Sequence, residues 1–142
     1  MQKPSYKLGQ SYLLRLPPGE DLLVGLYRVC REFGIECGVF QVIGTVRSAT
    51  LGHHDLENGE LKRQVLDRGL DLAQCTGNVT PQGDSIFMRA YAVVSDVEGR
   101  VWAGELLAAE IYVAEVLIQE LKGRPPKRVR DPETDLWLWP VT

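Results

Sequence analysis

Two histidines, three cysteines and one dense run of cations are the residues that could carry chemistry in this 142-residue chain. His53 and His54 are adjacent, and adjacent residues on a strand point to opposite faces. Such a pair cannot close one tetrahedral metal site without third and fourth ligands from elsewhere. Asp55 follows, and its carboxylate suits a turn as well as it suits a ligand shell. Cys30, Cys37 and Cys75 are odd in number, lie in apolar stretches and lack C-x-x-C spacing. They read as reduced core thiols rather than as a disulfide framework. No Gly-x-Ser-x-Gly elbow presents a serine nucleophile, and no cysteine stands beside a candidate base. Gly25, Gly34, Gly38 and Gly44 match neither a phosphate loop nor a dinucleotide fingerprint.

The cationic run is Lys122-Gly123-Arg124-Pro125-Pro126-Lys127-Arg128-Val129-Arg130, with five cations and no acid. Two readings stay open. The run is a solvated connector between strands, or it contacts phosphate, with Arg124, Lys127 and Arg128 as the nucleic-acid candidates. A net charge of −3 argues against a protein whose whole surface attracts nucleic acid. Trp137 and Trp139 alternate with Leu136 and Leu138, a pattern that packs two faces of a tail rather than stacking on bases.

A third cluster emerges from turn geometry. Asp96-Val97-Glu98-Gly99 fits a three-residue hairpin loop, a type I turn followed by a left-handed glycine. That loop pairs Asp96 with Arg100 and, counting outward, Tyr91 with Glu105. Arg89 lies on the face of Tyr91, diagonal to Glu105. The three form a candidate ligand pocket or an Arg89–Glu105 ion pair. A four-residue loop would instead turn Glu105 away from Arg89.

The elements that position these residues follow from periodicity. Leu22, Leu26, Val29, Cys30 and Phe33 share one helical face, which predicts a helix over about 20–33. Glu20 and Asp21 fall in its expected first turn, and Gly34 is its stop. Val39, Phe40, Val42 and Ile43 run without alternation, as in a strand covered on both faces, and Gly44 is expected to end it. A further strand is expected over 45–53. Asn58-Gly59 suggests a two-residue turn into a strand over 60–66. Strands are also expected over 70–76, 85–95 and 100–107, with a polar loop over 80–84; over 109–121 the β-branched Ile111, Val113, Val116 and Ile118 favour a strand, although the alanine and glutamate content also suits a helix. The tail at 136–139 reads as a short strand or a capping segment. One helix among hairpin-linked strands is an α+β domain with a mostly antiparallel sheet. The composition, 44% hydrophobic and 25% charged, is that of one globular domain over 1–142. No apolar run reaches the ~20 residues of a membrane span, and the first ten residues lack an apolar signal core, so a cytoplasmic protein without a membrane partner is expected.

Several segments, taken in order, resemble the plants-and-prokaryotes conserved (PPC) domain: "YLLRLPPGEDLLVGLYRVCREFGIECGVFQVIGTVRSATL", "LAQCTGNVTPQGD", "AYAVVSDVEGRVWAGELL" and "AEVLIQEL". "KRVRDPETDLWLW" is similar to the tail of its single-domain prokaryotic members. The likeness covers about residues 12–139. It implies an antiparallel sheet with a flanking helix, assembled as a homotrimer, and a binding or regulatory module rather than an enzyme. In land plants the domain follows AT-hooks in DNA-binding proteins. Here Lys-Gly-Arg-Pro itself resembles an AT-hook core, which implies A·T-rich DNA as a possible partner. Many prokaryotic members carry a His-x-His pair and a Gly-His that make a plausible zinc site. The matching positions here are Arg89, Tyr91 and Glu105, so the resemblance implies neither metal nor other cofactor. A small-ligand-binding protein is the alternative. An enzyme related in fold to acetolactate decarboxylase is the remoter one.

Overall fold

The computed structural model describes residues 3–142. The element order is β1 (Lys7–Leu16), α1 (Leu22–Phe33), β2 (Gly38–Asp55), β3 (Glu60–Leu66), β4 (Leu70–Gln82), β5 (Ser85–Ser95), β6 (Val101–Lys122), β7 (Val129–Arg130) and β8 (Trp137–Leu138). Six strands form one antiparallel sheet in the order β1-β6-β5-β4-β2-β3. A further pairing of β2 with β6 closes β6, β5, β4 and β2 into a ring. Closure is possible because β2 and β6 are 18 and 22 residues long, so each pairs with different neighbours along its length.

The helix forms where its apolar stripe predicts. Asp21 is the residue before its first turn and not within it. One carboxylate oxygen of Asp21 accepts from the Val24 N–H at 3.0 Å and the other from the Ala109 N–H at 2.9 Å. The cap therefore also fastens the helix to β6. Glu20 also precedes the helix and pairs with Arg28 at 3.0 Å. Gly34 ends the helix at φ 68°, a conformation open to glycine. Leu22, Leu26, Val29 and Cys30 join Leu16, Phe40, Val42, Val116 and Ile118 in one core. Phe33 lies at the edge of that face and stacks on Tyr12, with ring centroids 4.8 Å apart.

Three strand limits differ from the sequence expectation. Gly44 does not end a strand; β2 runs through it with a register shift. At φ 149°, with an added Cβ 1.9 Å from the Val113 carbonyl oxygen, only glycine fits this bulge. Likewise 100–107 and 109–121 fuse into β6, and β4 continues past Gly77 to Gln82. An added Cβ at Gly77 would lie 2.3 Å from the Arg89 carbonyl oxygen. The chain thus keeps β4 and β5 close by omitting a side chain there.

The 38–43 run is covered on one face only. Phe40 and Val42 are buried, whereas Val39 and Ile43 are exposed on the outer face. The β2–β3 hairpin turns through four residues, Leu56–Gly59, between the paired Asp55 and Glu60. Only Gly59 has positive φ, and the Asp55 carboxylate holds the loop by accepting from the Glu57 and Asn58 N–H groups. The β5–β6 hairpin has the three-residue loop that its sequence predicts: Asp96 N–H donates to Arg100 O, and Tyr91 pairs with Glu105.

Candidate functional site

Register places the candidate cluster on the outer face of the ring. Leu13 pairs with Leu117, Leu117 with Gln41, Gln41 with Thr76, Thr76 with Tyr91, and Tyr91 with Glu105. Directly paired residues share a face, so one row of side chains crosses five strands. Beside it runs Ser11, Gln119, Val39, Asn78 and Arg89. The face grades from apolar at Leu13, Ile43 and Leu117 to polar at Thr76, Asn78, Arg89 and Tyr91. Between these ends lies an open groove of about 450 Å³, with Arg89, Tyr91, Thr76, Val39 and Leu117 on its walls.

The expected triad does converge, and His54 joins it. His54 Nε2 lies 2.6 Å from Glu105 Oε2. Arg89 Nε lies 3.6 Å from Glu105 Oε1, an ion pair outside hydrogen-bond reach. That Nε is buried and has no hydrogen-bond partner among the described residues. His53 turns to the opposite face and meets Gln64 Oε1 at 2.9 Å. Residues 54 and 105 are 51 positions apart, so no turn rule relates them. The one signal was the alternation that sends one of two adjacent histidines to each face.

The donor set does not fit a divalent metal. Among the described residues, no three histidine, cysteine, aspartate or glutamate side chains converge. Arg89, a permanent cation, stands within 3.6 Å of the one carboxylate at the cluster and repels an approaching ion. The cysteines offer no nucleophile. Burial pushes the Cys30 thiol up to about 11 and the Cys75 thiol to about 12, which leaves both protonated near neutrality.

The cationic run divides. Arg124 and Lys127 are exposed, and Tyr6 donates to the Arg124 carbonyl at 2.9 Å. Arg128 departs from its expected place facing nucleic acid, being only 5% exposed. Its terminal nitrogens donate to Trp137 O at 3.0 Å and Asn78 Oδ1 at 2.8 Å. Its guanidinium lies 5.0 Å from the Phe87 ring centre and 4.9 Å from that of Trp139. Burial, and secondarily the like charge of Arg89, pulls its pKa below the ordinary guanidinium value. Thr80, expected in a polar loop, is buried in β4 and accepts from the Trp139 indole N–H at 2.9 Å. Arg128 and Trp139 therefore bind the C-terminal tail to the sheet.

Residues 3–122 match the model of the Plants and Prokaryotes Conserved (PCC) domain, and the chain belongs to that family. A plant- and prokaryote-conserved (PPC) protein from Pyrococcus horikoshii is 33% identical. The match covers 100% of this chain and 99% of that one, with a TM-score of 0.94. A metal-containing protein from Archaeoglobus fulgidus is 32% identical over 99% of this chain and 100% of its own, with a TM-score of 0.92. A candidate DNA-binding protein from Bacteroides thetaiotaomicron shares the fold at 19% identity, with 95% and 96% coverage and a TM-score of 0.85. The bifunctional protein GlmU of a Synechococcus strain is 30% identical over 122 residues, which take in 80% of this chain and 18% of that protein. The chain spans about a fifth of the length of the curated relatives it matches. No described helix is long and apolar enough to cross a membrane.

Proposed function

We propose that this protein is a non-catalytic binding module that assembles as a homotrimer and takes its ligand in the groove beside Arg89 and Tyr91. The observation that carries this reading is the outer sheet face. Its apolar end leaves Leu13 85% and Ile43 56% exposed, next to Val39 and Leu117. A sheet face of this kind is stable in water when another layer covers it, and a copy of the same chain is the simplest layer. Ile111 is buried in the core and adds nothing to this face. Light scattering at micromolar concentration is expected to give about three times the chain mass. A monomer would refute the assembly.

Association with A·T-rich DNA is the second reading. Exposed Arg124 and Lys127 support it, as does the naming of two structural relatives as candidate DNA-binding proteins. The overall charge of −3 and the burial of Arg128 weaken it, so the expected binding is weak and salt-sensitive. In a fluorescence anisotropy titration with A·T-rich duplex, Arg124→Ala is expected to reduce the A·T preference more than Lys127→Ala does. Undetectable binding at low salt would remove this reading.

A further inference from the structure

We propose that the groove holds the oxyanion of a small organic ligand, a carboxylate or a phosphate monoester, on the Arg89 guanidinium, with the neutral body of the ligand lying between Val39 and Leu117. This names the ligand class of the binding-module reading and rests on it.

Arg89 is an arginine without a hydrogen-bond acceptor among the described residues. A guanidinium offers five donors in a planar fork and is matched best by two oxygens of one anion. Arg89 Nε has no hydrogen-bond partner among the described residues. The carboxylate nearest to it is engaged elsewhere, because Glu105 holds His54 at 2.6 Å and approaches Arg89 only to 3.6 Å. A second cation, Arg128, lies close enough for its charge to be felt, and among the described residues it too has no carboxylate partner: its acceptors are a backbone carbonyl and an amide oxygen. One carboxylate, already engaged by a histidine, thus stands near Arg89, and the nearby Arg128 adds a second positive charge. A half-buried cation without an acceptor of its own calls for an anion. The groove supplies the place for it, since Arg89 and Tyr91 line the same wall.

The cation that excludes a metal ion here is the one that attracts an anion. The remaining lining sets the ligand's body. Thr76 and Gln41 supply neutral polar groups, and Val39 and Leu117 supply apolar ones. At about 450 Å³ the groove admits a small organic molecule rather than a polymer.

The test is thermal stabilisation of the full chain by phenyl phosphate and by benzoate, at constant ionic strength set with chloride, with benzamide as the uncharged comparison. A saturable rise in Tm is expected with at least one of the two anions and not with benzamide; which anion wins separates the phosphate source from the carboxylate source. Arg89→Gln is expected to weaken that binding at least about tenfold, the loss of a charge-assisted fork. Arg89→Lys keeps the charge without the fork and should fall between the two. Arg63→Gln, on exposed β3, should leave binding unchanged. If Arg89→Gln fails to fold, Arg89→Lys and the wild-type benzoate–benzamide difference still decide. No saturable response to either anion, an equal response to benzamide, or undiminished binding in the folded Arg89 variants would overturn the proposal. So would an Arg89 variant that loses oligomer mass, since Arg89 would then pair with a second copy. An anion response in a protein that scatters as a monomer would refute the trimer and leave this site standing.

Discussion

Asn78 has an arginine on either side, and the two are used in opposite ways. Its Oδ1 accepts from Arg128, and its backbone position is paired with Arg89 across the β4–β5 ladder. Arg128 comes from the C-terminal tail, is sealed between Phe87 and Trp139, and places both terminal nitrogens on acceptors. Arg89 comes from the sheet and lines an open groove, while the buried Nε of each arginine is unpartnered among the described residues. One cation is consumed in holding the fold together, and the other is left available. The contrast teaches that charge type says little about role here. What separates the two is whether acceptors and aromatic faces close around the guanidinium or it borders an open groove.

The largest expected effect comes from breaking the closed site. Arg128→Ala removes two charge-assisted hydrogen bonds and two cation–π contacts, at an expected cost of about 2–4 kcal/mol in urea denaturation. It should also open the 129–139 tail to protease. Arg89→Ala is expected to cost under about 1 kcal/mol, because Glu105 keeps its bond to His54. Equal losses at the two arginines would erase the comparison.

A smaller effect sharpens it. Double-mutant cycles should give a His54–Glu105 coupling of about 1 kcal/mol and an Arg89–Glu105 coupling below about 0.5 kcal/mol. The first pair meets at 2.6 Å and the second only at 3.6 Å. The reverse order would make Arg89 a structural ion pair and remove the ground for an anion site.

The smallest expected effect is a pH dependence in the hairpin that sets the cluster's register. Burial pushes the Asp96 carboxyl up. Hydrogen bonds from the Arg100 backbone and side chain and from the Glu98 N–H outweigh this, with the Arg100 charge adding to them, so its pKa lies below the ordinary aspartate value. A carboxylate depressed in the folded state contributes stability above its unfolded pKa of about 4, lost as pH falls through the folded value. Asp96→Asn should therefore flatten the acid limb of Tm measured from pH 7 to pH 2.5. An unchanged limb would show that Asp96 does not hold the loop.

Much of the local architecture was legible because local rules produce it. Leu22, Leu26, Val29 and Cys30 sit at helical spacing, so the helix and its buried face could be read directly. Asp96 and Gly99 dictate a three-residue loop, and that loop alone brings Tyr91 opposite Glu105. The Asn58-Gly59 reading was less complete. The dipeptide marks a turn, but Asp55 captures two backbone N–H groups and widens it to four residues.

Other features answer to partners far away in the chain. Gly44 has the look of a strand end, yet β2 continues through it because Val113 of β6 crosses where a Cβ would be. Arg128 is as polar in sequence as Arg124, and only the approach of Phe87, Asn78 and Trp139 takes it out of solvent.

By itself, then, the sequence determined the helix, the β5–β6 hairpin loop and the meeting of Arg89, Tyr91 and Glu105, since each depends on residues a few positions apart or on one turn between them. Tertiary structure alone decided the closure of the ring, the arrival of His54 at Glu105 and the division of labour between Arg89 and Arg128. Those depend on which distant backbone supplies an acceptor or excludes water, and periodicity and turn chemistry carry no record of that.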